Sequence, residues 1–312
     1  MIIDIINIVL PVFLVIGLGA ALLRIGLIDD AFLHRTNRLV YYLCLPLLLF
    51  YKIGTADFAS NFNGLLVLTA AALTVLAAAG SYLYAHWRKY PQTAIGAFSQ
   101  GSFRGNLAYI GLAIAFNAYG EAGLTRAGLL MGFMVPVLNF CAIVVLLLPH
   151  HGDAGAGSKA QWRKQLLLNP LILASAAGII WSMFGFGLPT ALDRGLKIVT
   201  GLALPLALIA IGGSFTFKKL KGDLRPVLLA STVKLLLLPA AGLLCLTALG
   251  ISGLDLATGL ILLGAPAATA NFIMAYELKG DTELAASIVM LSTLLSAASY
   301  SLLLLSLRYL GL

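Results

Sequence analysis

The sequence predicts an all-α polytopic membrane protein with ten transmembrane helices. They form a five-plus-five inverted repeat in which helices four and nine are interrupted. Three observations lead there. Of 312 residues, 61% are hydrophobic and only 10% are charged, whereas a soluble chain is about half apolar and about a quarter charged. The apolar residues gather into ten runs of the length needed to cross a bilayer core of ~30 Å, roughly 20 residues of helix each. Features of the first five runs also recur in the second five at a nearly constant distance along the chain.

The first run, at about 3–23, follows Met-Ile-Ile-Asp. A secretory signal opens with basic residues and ends in a small-residue cleavage site; an acidic start and a long core predict a retained helix instead. Further runs lie at about 36–53, 64–86, 91–118, 123–148, 168–185, 196–216, 226–249, 256–278 and 284–307. Helices are expected because backbone polar groups in lipid must be satisfied within the segment, and barrel-type alternation is absent. The Gly-rich, basic stretch 149–166 (PHHGDAGAGSKAQWRKQL) is a linker, so residues 1–148 and 167–312 form the two repeats. Its adjacent His150 and His151 read as solvated loop rather than as a metal site. Cys44, Cys141 and Cys245 lie in apolar runs without a CxxC and read as small buried hydrophobes rather than a disulfide or zinc framework.

The net charge of +8 speaks of topology. One set of loops carries Arg24, Arg35, Arg38, Arg88, Lys89, Lys159, Arg163, Lys164, Lys218, Lys219, Lys221, Arg225 and Lys279. The other carries Lys52, Arg126, Arg194, Lys197 and Arg308. The positive-inside rule puts the larger set, and with it the linker, in the cytoplasm. Both termini then face outward, in a plasma (inner) membrane. No basic run interleaved with aromatics stands outside the apolar segments, so membrane lipid rather than nucleic acid is the expected surrounding.

The repeat is visible at an offset of 159, which pairs Pro11 with Pro170, Gly19 with Gly178, Arg35 with Arg194 and Pro46 with Pro205. Beyond helix three the offset becomes about 160, pairing Gly120 with Gly280 and Asn106 with Pro266. Five spans per half is an odd number, so the second half is inverted relative to the first, the architecture of secondary transporters. Helix four (AFSQGSFRGNLAYIGLAIAF) and helix nine (LILLGAPAATANFIMAYE) both carry helix-weakening residues at matching places. In helix four the break is expected to rest on Gly101, Gly105 and Gly111; in helix nine it falls at Pro266. Glycines also serve close packing, but matching positions in both halves favour a broken pair. Half-helix N-termini beyond the breaks would turn partial positive charge toward an anion. Pro46 and Pro205, with Gly212 and Gly213, are read as hinge and packing residues.

Arg104 and Lys234 belong to neither loop set. An intramembrane charge is a functional candidate by default, and a planar guanidinium can hold a carboxylate through two hydrogen bonds. Arg104 is therefore expected to bind a substrate carboxylate, with Ser102, Gly105, Asn106, Pro266, Thr269 and Asn271 around it. For Lys234 two readings stand: snorkelling or structural pairing, which is favoured, and a charge facing the cavity or a neighbouring helix end. Glu277, ending helix nine, is a further accessory charge. The span interiors lack Asp, Glu and His, which argues against an intramembrane enzyme and against a zwitterionic substrate needing an acid for its amine. The expectation is a secondary active or facilitative carrier of small organic anions, working by alternating access. A carrier of an amino acid or other amphipathic metabolite, and a transporter-like sensor without flux, are the alternatives. No cofactor or metal is expected; coupling to sodium or to protons stays open.

Four segments carry a resemblance: NRLVYYLCLPLLLF at 37–50, GNLAYIGLAIAF at 105–116, VKLLLLPAAG at 233–242 and PAATANFIMAYELKGDTELAAS at 266–287. In order and spacing the chain resembles the auxin efflux carrier family, the bacterial relatives of the plant PIN-type carriers, over essentially its whole length. The resemblance implies that helices four and nine cross at their breaks and that the cargo is a small organic anion, auxin-like acids in plant members and malate or malonate in bacterial ones. It also implies a homodimer. The family's Gly-x-Pro after the first Asn is replaced here by Gly111, Leu112 and Ala113, and a second proline of plant members by Asn271.

Overall fold

The computed structural model describes residues 2–150, 168–214, 224–309 and 311. From residue 151 on, the linker lies outside the described residues, as do Lys159, Arg163, Lys164, Lys218, Lys219 and Lys221 of the cytoplasmic set. The described residues are helical throughout, with no strand among them beyond one isolated bridge between Gly105 and Ala267.

In chain order the helices are α1 (Ile2–Arg24), α2 (Asp30–Leu39), α3 (Leu45–Gly54), α4 (Phe58–Asn61), α5 (Gly64–Trp87), α6 (Gln92–Phe103) and α7 (Leu112–Leu147). The second half holds α8 (Pro170–Met183), α9 (Thr190–Gly201), α10 (Ala203–Gly213), α11 (Leu224–Thr232), α12 (Leu238–Ala248), α13 (Gly253–Leu263), α14 (Ala270–Glu277) and α15 (Thr282–Tyr309). Among the described residues six helical stretches are long and apolar enough to cross a bilayer: Ile3–Arg24, Gly64–Trp87, Leu107–Leu147, Thr190–Gly213, Leu224–Ala248 and Thr282–Tyr309. Pro170–Met183 and Gly253–Leu263 are shorter apolar helices. Apolar surface turned outward on these helices, as at Leu10, Leu14, Leu68, Leu76, Leu244 and Leu302, is what a lipid-facing side requires. The fold is thus that of a polytopic helical membrane protein.

Prolines set where the helices bend. Pro46 and Pro239 each sit two residues after the end of a single π-turn, Val40–Cys44 and Val233–Leu237, closed by Leu45 N–H to Val40 O and Leu238 N–H to Val233 O. A proline ring clashes with the carbonyl four residues back; widening that turn by one residue makes room and keeps the helix going. Pro205 instead follows a discontinuity at Leu202, between α9 and α10. Within α7 the chain turns at Gly120, whose φ of 59° and ψ of −147° divide it into two helices. That turn is the boundary expected between runs four and five.

Two close crossings hold one side of the molecule together. On α1 the buried stripe is Ile5, Val9, Val12 and Ile16, at helical spacing. Where α1 meets α10, a Cβ on Gly19 would lie 2.2 Å from Ile209 O and one on Gly212 1.8 Å from Ile16 O, so only glycine fits either place. At the second crossing, α3 against α8, Gly178 lies against Ile53 and Phe50. Small residues permit this approach where no hydrophobic driving force separates helix from lipid.

A polar junction ties the other helices at one end. Asn63 caps α5 through its side chain, which accepts from Leu66 N at 3.1 Å, and donates to Asp255 of α13 at 2.8 Å. Asp255 also pairs with Arg126 of α7. Nearby, Lys52 pairs with Glu121, and Asp193 accepts from Tyr51 OH at 2.7 Å and from Lys197 at 2.9 Å. These cations, Lys52, Arg126 and Lys197, belong to the smaller set of basic residues.

Candidate functional site

The last turn of α6 closes with Arg104 N–H on Gln100 O at 2.8 Å, and then the chain leaves the helix. Arg104 is extended at φ −81°, ψ 99°. Asn106 restarts the helical path: its Oδ1 accepts from Tyr109 N at 3.2 Å, satisfying one orphan N–H of the new end, and a π-turn over Leu107–Gly111 leads into α7. On the other side α13 stops at Leu263, and α14 begins only at Ala270.

The two interruptions lie side by side and antiparallel. Asn106 N–H donates to Pro266 O at 2.7 Å and Ala268 N–H to Arg104 O at 2.9 Å. Ala267 N–H is taken by Ser292 Oγ of α15 at 3.1 Å. Each segment thus satisfies the backbone groups that the other exposes, which is what permits unwound chain inside a bilayer. Gly105 sits where the segments come closest: a Cβ there would lie 3.0 Å from Lys234 Cε and 3.1 Å from Ala265 O.

Both intramembrane cations are at this crossing. Lys234, 1% exposed, donates from Nζ to Leu263 O at the open C-terminal end of α13, where a cation suits the helix dipole. It does not snorkel to a surface, because the break in α13 offers a carbonyl within reach of its stem. Arg104, partly exposed, donates from Nη2 to Asn139 Oδ1 at 2.7 Å, and its Nη1 faces Met274 Sδ. Asn271 is buried, with Nδ2 3.4 Å from Arg104 O.

Of the residues singled out in the sequence, Arg104, Gly105, Asn106, Pro266, Asn271 and Lys234 meet at one place. Ser102 lies in the last turn of α6 with its hydroxyl donated to Phe98 O at 2.9 Å, and Thr269 stands just before α14. The others are elsewhere. Gly101 is inside α6 against Ile288, and Gly111 closes the π-turn against Leu262. The interruption therefore spans Arg104–Asn106, and of the three glycines expected to make it only Gly105 lies in it. Pro46 and Pro205 shape α3 and α10, away from the breaks, and Glu277 is exposed at the far end of α14. Sequence reasoning missed Gln100, Asn139, Met274 and Ser292 as partners. Asn139, a lone amide in an otherwise apolar run, carried a signal; Met274 carried none.

At the crossing itself a void of about 10 Å³ is bordered by Phe103, Gly105, Lys234 and Leu263. A larger cavity of about 480 Å³ lies between α1, α3, α7 and the α9–α10 pair. Its wall includes Ala113, two residues past Gly111, and it extends to Tyr51, Lys52, Asn117, Glu121 and Lys197. That volume is within the usual range for small-molecule sites, ~300–1,000 Å³.

A helical membrane protein with two interrupted helices crossing over buried cations has the form of a membrane transporter. Comparison with known proteins agrees. A family described as "Membrane transport protein" matches residues 4–160 and 157–304. The chain belongs to this family, the one to which its likeness to auxin efflux carriers points. It is similar to an "Uncharacterized transporter" of Methanothermobacter thermautotrophicus, 26% identical over 94% of this chain and 95% of the relative. A second "Uncharacterized transporter", of Methanocaldococcus jannaschii, is 23% identical over 93% of this chain and 94% of its own. A Rhizobium meliloti protein named "Putative malonate transporter" is 25% identical over 95% and 93%.

Proposed function

We propose that the chain carries small organic anions, carboxylates of the malate and malonate kind, across the plasma membrane by alternating access. The observation that carries this reading is the crossing: two cations, Arg104 and Lys234, and two fresh helix N-termini beside unwound backbone. Such an arrangement favours negative charge at a depth where water offers little competition. Arg104 binds the carboxylate by exchanging its neutral partners, Asn139 and Met274, for a charged one. Lys234 fixes the broken end of α13 and adds positive potential.

The ten-span, five-plus-five inverted repeat supplies the motion. Counting Asp30–Gly54, Thr190–Gly213 and Leu224–Ala248 as one span each, dividing α7 at Gly120, joining the two parts of each interrupted helix and leaving out the four-residue α4 gives a count of ten that supports this reading. The pairing α1 with α10 and α3 with α8 joins span one to seven and span two to six, the exchange expected of repeats related by a two-fold axis. In this reading residues 1–148 and 167–312 are the repeats, joined by the linker 149–166. Both termini lie outside the cytoplasm, and the cavity at Lys52, Glu121 and Lys197 faces outward. The malonate named for the Rhizobium relative is the first substrate to test.

The test is uptake of labelled mono- and dicarboxylates by the purified chain in liposomes, with membrane voltage, pH and sodium gradients imposed separately. Saturable uptake of malonate or malate is expected. Specific binding with no flux under any gradient would make the protein a sensor, and preferred uptake of a zwitterionic amino acid would overturn the anion reading.

A further inference from the structure

Among the described residues three buried side-chain polar atoms have no hydrogen-bond partner: Gln100 Oε1, Asn271 Oδ1 and Trp181 Nε1. Two of the three lie on either side of the same crossing. Gln100 is fully buried and Asn271 is 1% exposed. Their orientation is set by their nitrogens: Gln100 Nε2 donates to Asn271 O at 2.9 Å, and Asn271 Nδ2 faces Arg104 O. Turning the Gln100 amide over would put oxygen against oxygen, so its acceptor stays without a donor. A buried amide oxygen left in this way costs free energy in low dielectric. Both atoms are acceptors only, so what completes them is a hydrogen-bond donor or a cation.

The helix ends make the same demand. Helices α6 and α13 both stop inside the membrane, and each presents its last carbonyls, the negative end of its dipole, to the crossing. At α13 a cation built into the chain answers, Lys234 on Leu263 O. At α6 none does. The residue 160 positions before Lys234 is Thr74, whose hydroxyl is used on Ala70 O of its own helix at 2.8 Å. The guanidinium of Arg104 is directed to Asn139 and Met274.

We propose that a sodium ion binds at the end of α6, held by Gln100 Oε1, Asn271 Oδ1 and carbonyls of the last α6 turn, so that it serves α6 as Lys234 serves α13. The donors are neutral oxygens, which suit an alkali cation; a divalent ion calls for carboxylates, and no cluster of three or more His, Cys, Asp or Glu side chains exists among the described residues. The proposal rests on reading the crossing as the anion site. Beside Arg104 and Lys234 a third positive charge is held weakly until a carboxylate arrives, and the anion in turn is held better once sodium is present. By linkage the two enhancements are the same factor.

The wild-type chain carries the test. Its unfolding midpoint in detergent is measured in sodium, potassium and choline chloride at equal ionic strength, with and without malonate. Malonate uptake into liposomes is measured in the same salts at clamped voltage. Sodium alone is expected to raise the midpoint, more so with malonate, and to lower the KM for malonate tenfold or more. Gln100→Met keeps the side-chain length but removes both the oxygen and the amide donated to Asn271 O; its midpoint should be lower than the wild type's in every salt, and both sodium effects should be lost. Identical uptake and midpoints in all three salts would overturn the site and leave water on the two oxygens. Equal effects of sodium and potassium would overturn the choice of ion. Stabilisation by sodium with no anion flux under any gradient would retain the cation site and remove the anion reading instead.

Discussion

Replacing Gly105 with alanine tests the crossing at its tightest point. The added methyl would lie 3.0 Å from Lys234 Cε, 3.1 Å from Ala265 O and 3.2 Å from Lys234 Nζ. Contacts of 3.0–3.4 Å are tighter than ordinary packing, so the neighbours must give by a few tenths of an ångström. That shift falls on the hydrogen bonds between Asn106 and Pro266 and between Ala268 and Arg104. Overpacking of this size costs ~1–3 kcal/mol, and at ~1.4 kcal/mol per factor of ten the rate of anion uptake falls by roughly five- to a hundredfold. Shortening Lys234 removes two of the three contacts but not the one with Ala265 O, so Gly105→Ala with Lys234→Ala is not restored. Gly17→Ala is the control, because nothing lies within 4 Å of the position its methyl would take. The assay is labelled malonate uptake by equal amounts of folded protein in liposomes, with unfolding midpoints in detergent alongside. Equal uptake and equal midpoints for Gly105→Ala and Gly17→Ala would refute the argument that close approach at residue 105 sustains the site.

Four further outcomes are expected. Arg104→Gln keeps a hydrogen-bonding side chain but loses the charge. Hydrogen bonds to charged groups contribute ~1.5–3 kcal/mol, so the KM for malonate should rise about 10- to 100-fold; Arg104→Lys should recover only part of it, since an ammonium lacks the planar fork. Asp255→Asn leaves Arg126 without its counter-charge and weakens the link to Asn63. This partly buried junction of three helices should lose ~1–3 kcal/mol of stability, intermediate between exposed and buried pairs. Glu121→Gln, at a side chain 69% exposed, should cost under ~1 kcal/mol by the same denaturation measurement. Finally, in a chain with its three cysteines changed to serine, Lys89→Cys should be labelled by an impermeant thiol reagent from the cytoplasmic side and Gly187→Cys from the outer side; both positions are exposed. Labelling from the opposite sides would reverse the topology.

What the sequence made legible follows from what helices in lipid require. Membrane residence came from composition, and most helix positions from apolar runs bounded by charges, because lipid leaves the backbone few choices. The neighbourhood of the crossing was legible too: Arg104, Asn106, Pro266 and Asn271 are polar or helix-breaking residues in largely apolar segments. The exact interruption was not. Three glycines within eleven residues compete as breakers, and what decides is the partner segment: Gly105 faces the Ala265 carbonyl, whereas Gly101 and Gly111 face side chains. Lys234 stayed between two readings for a related reason. Counted along an unbroken helix it lies near the cytoplasmic end, but a carbonyl freed by a break 29 residues later in the chain is closer. Asn139 and Met274 became partners of Arg104 only through packing.

The two breaks are unequal in sequence and equal in structure, and the hydrogen bonds explain how. One segment has a proline, which cannot continue a helix without losing a bond. The other has only Gly105 with Asn106, neither of which prevents a helix from running on. If α6 did run on into α7, Asn106 N–H and Arg104 O would turn inward to the helix. Pro266 O and Ala268 N–H would then lose their partners in the middle of the membrane. Proline on one side therefore enforces the break on both, and the departure at Leu112 and Ala113 from a second proline costs the fold little. It also means that neither break can close or shift alone. A motion of the kind proposed must move α6, the start of α7, the end of α13 and α14 as one piece, with Lys234 attached through Leu263. In the proposed alternating access that unit would move against the side held by the close crossings of α1 with α10 and α3 with α8, along the cavity that runs from Ala113 to Lys52 and Lys197.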